Sequence, residues 1–155
     1  MDFLIDDFND TFFNRPKEGI LRDYQRRVNN LLGPDNGVGT EHIAALHDLG
    51  HLPLKIRALP EGSRVPLRVP MLTIENTDPA FYWLTNYLET VLSNYIWMAI
   101  TSATTTDRFR RLLDSWADKT GADPVAVNFC GHDFSLRGLS SLQSGAMSGA
   151  AHLLS

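Results

Sequence analysis

Cysteine is almost missing from this 155-residue sequence. Cys130 is the single thiol, and a lone cysteine closes no internal disulfide, so nothing here requires an oxidising compartment. Without a metal-ligand pattern around it, Cys130 reads as a small buried residue at a strand end. Long apolar runs are missing too. The longest within the most apolar segment is Tyr95–Ile100, far short of the roughly 20 residues that span a bilayer. The first residues, Met-Asp-Phe-Leu-Ile-Asp-Asp, place acids where a secretory leader carries bases. These absences predict a soluble, cytoplasmic protein that does not enter membranes.

Basic runs are also absent. A net charge of −4 gives no general attraction to nucleic acid or anionic lipid, so neither is expected as a partner. The densest basic cluster, Arg108, Arg110 and Arg111, reads as a solvated helix face. No P-loop, no GxGxxG and no Ser-His-Asp order occurs. His42, His47 and His51 are spaced by five and four without a cysteine or acidic partner, so no metal site is expected. Glu89 stands in an otherwise apolar segment and is expected to be buried with a hydrogen-bond partner.

What is present is a succession of helical and alternating patterns. Residues 2–13 align Phe3, Leu4, Phe8 and Phe12 on one helical face. Residues 18–32 repeat the pattern with Ile20, Leu21, Tyr24, Val28, Leu31 and Leu32, and Gly33 is a natural stop. A third helix is predicted between Thr40 and Gly50, with Ile43, Leu46 and Leu49 inward. Leu54, Ile56 and Ala58 then alternate with Lys55 and Arg57, as in a half-buried strand. Leu59-Pro60-Glu61-Gly62 fits a type I turn. Val65, Leu67 and Val69 resume the alternation as an edge or bulged strand, because Pro66 and Pro70 lack amide donors. Leu72 and Ile74 continue inward.

Asp78-Pro79 reads as a helix start, and Phe81, Leu84, Leu88, Val91, Leu92, Tyr95 and Ala99 give a long buried helix. Thr101–Thr106 is predicted to break it. A further helix follows from Asp107, with Phe109, Leu112, Leu113 and Trp116 inward and Gly121 past its end. Val125–Cys130 reads as a short strand. Ser140–Leu154 reads as a helix with the Ser140/Gln143 capping-box spacing.

The chemistry concentrates between Val127 and Ser141. A strand end, a loop with His132, Asp133, Phe134 and Arg137, and a capped helix would place a ligand at the strand's carboxyl end. Free N–H groups at the helix start (Gly138, Ser140, Ser141) favour an anion. Arg137 adds a planar cation suited to phosphate, and Phe134 a face for a flat ring. The alternative stays open: Arg137 pairs with a structural carboxylate, Phe134 joins the core, and His132 and Asp133 cap the loop. Gly145 and Gly149 are expected to allow close helix–strand packing.

The segments IENTDPAFYWLTNYLETVLSNYIWMAITSATTT, HDFSLRGLSS and GAMSGAAHLLS resemble the nicotinamide phosphoribosyltransferase family. The similarity runs from about Gly50 to the end, with residues 1–49 matching only loosely. It implies an α/β (mixed α+β) fold: part of an N-terminal α/β sandwich over residues 1–76, then the first helices and strand of an irregular α/β barrel of type II phosphoribosyltransferases over residues 77–155. It implies condensation of nicotinamide with phosphoribosyl pyrophosphate, accompanied by Mg2+, to give nicotinamide mononucleotide and pyrophosphate in NAD salvage. ATP coupling is left open, no tightly bound cofactor is implied, and the full enzyme would be a homodimer. Phe134 would stack on the pyridine ring, Arg137 would face the phosphates, and His132 with Asp133 would line the pocket. Ser135 and Leu136 replace the family's Gly and Tyr, and Ser135 would restrict the loop if positive φ were needed. The family's Gly-Thr-Asp-Thr segment would follow Ser155. The chain is therefore expected to hold no complete catalytic set and to be inactive alone. Nicotinate phosphoribosyltransferase, a split-enzyme subunit and a non-catalytic binding module are the alternatives.

Overall fold

The computed structural model describes residues 2–154, with side chains described from Leu4. Helices dominate, and a two-stranded sheet makes the architecture mixed, as expected from the change of period at Leu54. The chain divides into two compact units, Met1–Arg57 with Leu72–Thr85, and Ala58–Met71 with Asn86–Ser155.

In the first unit, α1 (Asp2–Phe8) runs into a π-helical turn at Asn9–Phe13, then α2 (Lys17–Leu32) and α3 (Glu41–Leu49) follow. Leu4, Ile20, Ile43, Leu46, Phe81 and Leu84 are buried in this unit. Leu31 and Leu32, expected inward, are exposed. Polar bonds occupy that end of α2 instead: Asn29 Oδ1 accepts from Gln25 Nε2 at 2.9 Å and from Asn36 Nδ2 at 3.1 Å. Gly50 ends α3 in the left-handed conformation that spares glycine a Cβ clash. Leu49 also reaches the surface. The three histidines take separate partners. His42 meets Tyr24 Oη at 3.0 Å and stacks edge-on against Trp83, His47 Nε2 donates to the Arg15 carbonyl, and His51 Nδ1 to that of Leu49.

Strands β1 (Leu54–Ala58) and β2 (Leu72–Asn76) pair antiparallel. Thr77 N donates to Pro53 O and Leu59 N to Met71 O. That register sets Ile56 opposite Ile74 and Leu54 opposite Asn76 on the half-buried face. Arg57 and Glu75 pair at 2.8 Å on the exposed one.

The expected strand over Val65–Val69 does not form. Pro66 and Pro70 remove ladder donors, Arg68 sits at φ 70°, and Leu67 is 96% exposed. The preceding turn lies one residue later than predicted. Ser63 N donates to Pro60 O, and Gly62 at φ 77° occupies the third position, which makes it type II.

Asp78 caps a short 3-10 turn (Pro79–Phe81), its carboxylate accepting from Ala80 N at 2.9 Å. The helix proper, α4 (Leu84–Thr120), then continues unbroken through Thr101–Thr106. The predicted break fails because hydroxyls there bond inside the helix: Thr104 Oγ1 donates to Ile100 O at 2.7 Å, and Thr106 Oγ1 to Ser102 O at 3.0 Å. An unbroken helix also fixes the phase of its second half. Ala117 falls on the stripe begun by Leu88 and Leu92, so Phe109, Leu112 and Trp116 turn outward. Glu89 is likewise exposed and needs no buried partner. After α4, Gly121 at φ 69° and the bond from Ala122 N to Ala117 O form a Schellman stop. In the second unit Asp107 pairs with Arg111 at 3.0 Å and with Arg64 of the 59–71 loop. Among the described residues, no helix is long and apolar enough to cross a membrane.

Candidate functional site

The segment before the candidate loop is not a strand. Asp123 accepts from Val125 N at 2.9 Å and Pro124 takes the first helical position, so residues Pro124–Val127 form one helical turn, α5. Bonds from Asn128, Phe129 and Cys130 to the carbonyls three residues back carry the turn onward. This local capping outweighs the strand preference of Val-Ala-Val. Cys130 is exposed, contrary to the buried position expected, and its thiol donates to Ala126 O at 3.3 Å. Arg110 of α4 reaches across with Nη1 to Asn128 Oδ1 at 2.9 Å while its Nε holds Asp114.

The loop itself runs from Gly131 to Ser141 and contains a 3-10 turn at Ser135–Arg137. Ser135 keeps negative φ, so serine fits the backbone here without strain. The helix α6 (Leu142–His152) follows. Its cap is Ser141, one residue after the expected Ser140: Ser141 Oγ accepts from Ser144 N at 3.1 Å. Gly138 and Ser140 are exposed between the turn and the cap.

Three predicted residues converge. The Phe134 ring is 66% exposed and does not join the core. The Arg137 guanidinium carbon lies 5.8 Å from its centroid, within cation–π range. The His132 ring approaches edge-on at 6.4 Å. Among the described residues the Arg137 side chain makes no ion pair or hydrogen bond, and only its backbone N–H is used, donating to Phe134 O. A flat ring and an anion could therefore be met side by side on one loop.

Asp133 holds the loop together. Its Oδ1 accepts from Ser135 N at 2.7 Å, an Asx turn. Hydrogen bonds from the Ser135 hydroxyl and N–H, then from Ser148, and the nearby His152, hold its carboxyl below the usual aspartate range against the opposing effect of burial. Asp133 is thus ionised at neutral pH.

Sequence reasoning missed the support beneath the loop. Ser148 of α6 is a buried polar residue, 8% exposed, and its Oγ lies 3.2 Å from Ser102 Oγ of α4. Ser148 and His152 are polar residues four apart in a helix otherwise rich in glycine and alanine, and that spacing was the available signal. Gly145 does allow a close approach, but by the loop and not by a strand. A Cβ there would stand 2.5 Å from Leu136 Cδ1 and 3.3 Å from Leu136 Cα. At Gly149 a Cβ would meet only Asp133 Oδ2, at 3.9 Å. Opposite signs are therefore expected from two similar substitutions. Gly149→Ala should stabilise by up to about 1 kcal/mol through helix propensity. Gly145→Ala should lose that gain to overpacking of about 1–3 kcal/mol. Urea midpoints of the two variants check this, and equal shifts would contradict the packing described. Among the described residues no group of three or more His, Cys, Asp or Glu side chains is placed to hold a metal ion.

No protein-family model matches the chain. Curated relatives do. The chain is 53% identical over 153 residues to a nicotinamide phosphoribosyltransferase of Acinetobacter baylyi, covering 99% of this chain and 30% of that protein. A protein of the same name from Xanthomonas campestris pv. campestris is 42% identical over 68% of the chain and 22% of its own length. One from Mycoplasma genitalium is 39% identical over 74% of the chain and 27% of its own length. The chain spans less than a third of each of these relatives, and along that span it belongs to the nicotinamide phosphoribosyltransferase family.

Proposed function

We propose that this chain contributes one wall of the substrate pocket of an enzyme that joins nicotinamide to phosphoribosyl pyrophosphate, giving nicotinamide mononucleotide and pyrophosphate. The observation that carries this reading is the exposed Phe134 with the uncommitted Arg137 beside it. Phe134 offers its face to the pyridine ring. Arg137 meets the phosphate side, helped by the backbone around Gly138, Ser140 and Ser141 at the start of α6. His132 lines the wall next to Phe134. Mg2+ would accompany the phosphoribosyl pyrophosphate. The remaining catalytic groups would come from the further length that the relatives possess. In this reading residues 1–76 belong to an α/β sandwich and residues 77–155 to the start of a barrel, and the whole enzyme is a cytoplasmic homodimer serving NAD salvage.

The test uses a hybrid: the Acinetobacter relative with its matched segment replaced by this chain, which the 53% identity makes feasible. Phe134→Ala in the hybrid should raise KM for nicotinamide about three- to tenfold, since stacking contributes roughly 0.5–1.5 kcal/mol beyond area burial. An unchanged KM would remove Phe134 from the site.

A further inference from the structure

The Asp133 carboxylate serves two elements at once. Oδ1 accepts the Ser135 N–H and so closes the turn that carries Phe134 and Arg137. Oδ2 lies over α6, 3.9 Å from where a Gly149 Cβ would stand. Ser148 and His152 of α6 are close enough to help hold that carboxyl below the usual aspartate range. Ser148 is in turn fixed from behind, because Ser102 Oγ of α4 reaches both its Oγ, at 3.2 Å, and its carbonyl, at 3.3 Å. Polar side chains of α4 and α6, Ser102 and Ser148, thus lie behind the carboxylate that holds the amide just after Phe134. Leu136, seated against Gly145, holds the other side of the same turn.

We infer that Asp133 is the positioning residue of the loop: it closes the Phe134–Arg137 turn against α6 and sets the ring and the guanidinium side by side without itself touching substrate. This rests on the reading of Phe134 and Arg137 given above. Three features favour it over a substrate contact. Oδ1 is already committed to a backbone amide inside the loop. Oδ2 is directed at the helix. A carboxylate placed directly against a phosphate would oppose the anion that Arg137 is there to attract.

The test compares Asp133→Ala with Asp133→Asn in the hybrid enzyme. Asparagine keeps an oxygen for the Ser135 amide, and alanine keeps nothing. Asp133→Ala should raise KM for both nicotinamide and phosphoribosyl pyrophosphate about tenfold. Asp133→Asn should return both to within about threefold of the parent. In the 155-residue chain itself, the Ser135 amide should exchange faster in Asp133→Ala than in the parent, with α6 amides unchanged. Unchanged KM values in Asp133→Ala would overturn the inference. So would an alanine defect in kcat alone, or an asparagine variant as impaired as alanine. A hybrid in which Phe134→Ala has no effect would overturn the underlying reading instead, so the two failures are distinguishable.

Discussion

Arg137→Ala is expected to lower kcat/KM of the hybrid enzyme for phosphoribosyl pyrophosphate by about ten- to a hundredfold. The guanidinium spends none of its donors on the described protein, and hydrogen bonds between charged partners contribute roughly 1.5–3 kcal/mol each. A factor of ten corresponds to about 1.4 kcal/mol. Arg137→Lys should recover only part of the loss, because an ammonium keeps the charge but not the planar fork. The cation–π contact with Phe134 adds a smaller, secondary effect: removing the guanidinium leaves the ring without its neighbour at 5.8 Å. Steady-state kinetics with phosphoribosyl pyrophosphate varied at saturating nicotinamide measures the loss. A change below about twofold would mean that Arg137 does not face the phosphates.

The largest stability effect is expected at Leu84. Among the described residues it is the most enclosed large side chain, 2% exposed, in the unit that also buries Leu4, Ile20, Ile43, Leu46 and Phe81. Leu84→Ala removes the transfer contribution of its methyl and methylene groups and leaves a cavity, together about 2–5 kcal/mol. Whole domains are stable by only about 5–15 kcal/mol, so the variant should unfold at a much lower urea concentration. Leu67→Ala is the control. That side chain is 96% exposed, and its loss should stay within about 0.5 kcal/mol. Urea titration followed by helical circular dichroism distinguishes them. Equal midpoints would contradict the burial described for the first unit.

Periodicity located the elements well where one face is covered by a neighbour in the same unit. The helices over residues 17–32 and 41–49, and the strands at Leu54 and Leu72, lie close to where their patterns placed them. The errors have a common physical origin in reading short polar or β-branched stretches by composition alone. Threonines at 104 and 106 suggested a break, yet their hydroxyls return to carbonyls within the helix. Once the helix is continuous, the phase of residues 107–117 follows from that of Leu88 and Leu92, and the aromatic side chains face outward. Asp123-Pro124 carries the same start signal as Asp78-Pro79, and each aspartate accepts an amide two residues on. Both are caps, and the helical turn at Pro124 displaces the strand expected over Val125–Cys130.

The candidate loop was legible for a different reason. Phe134, Arg137 and His132 are close in sequence, so any compact turn brings them together, whether a strand or a helix precedes it. What sequence could not supply was the direction of their support. Ser102 and Ser148 are separated by 46 residues, and only the packing of α4 against α6 buries Ser148 beside Ser102. Leu136 gained its place through a glycine nine positions later, a contact with no local signature.

The most direct test of the central claim is product formation by the hybrid enzyme, with nicotinamide and phosphoribosyl pyrophosphate supplied and nicotinamide mononucleotide quantified by chromatography. The proposed pocket wall predicts product at a rate within about tenfold of the Acinetobacter relative, falling at least tenfold on Arg137→Ala. A hybrid that folds with the relative's helical content and forms no nicotinamide mononucleotide would contradict it.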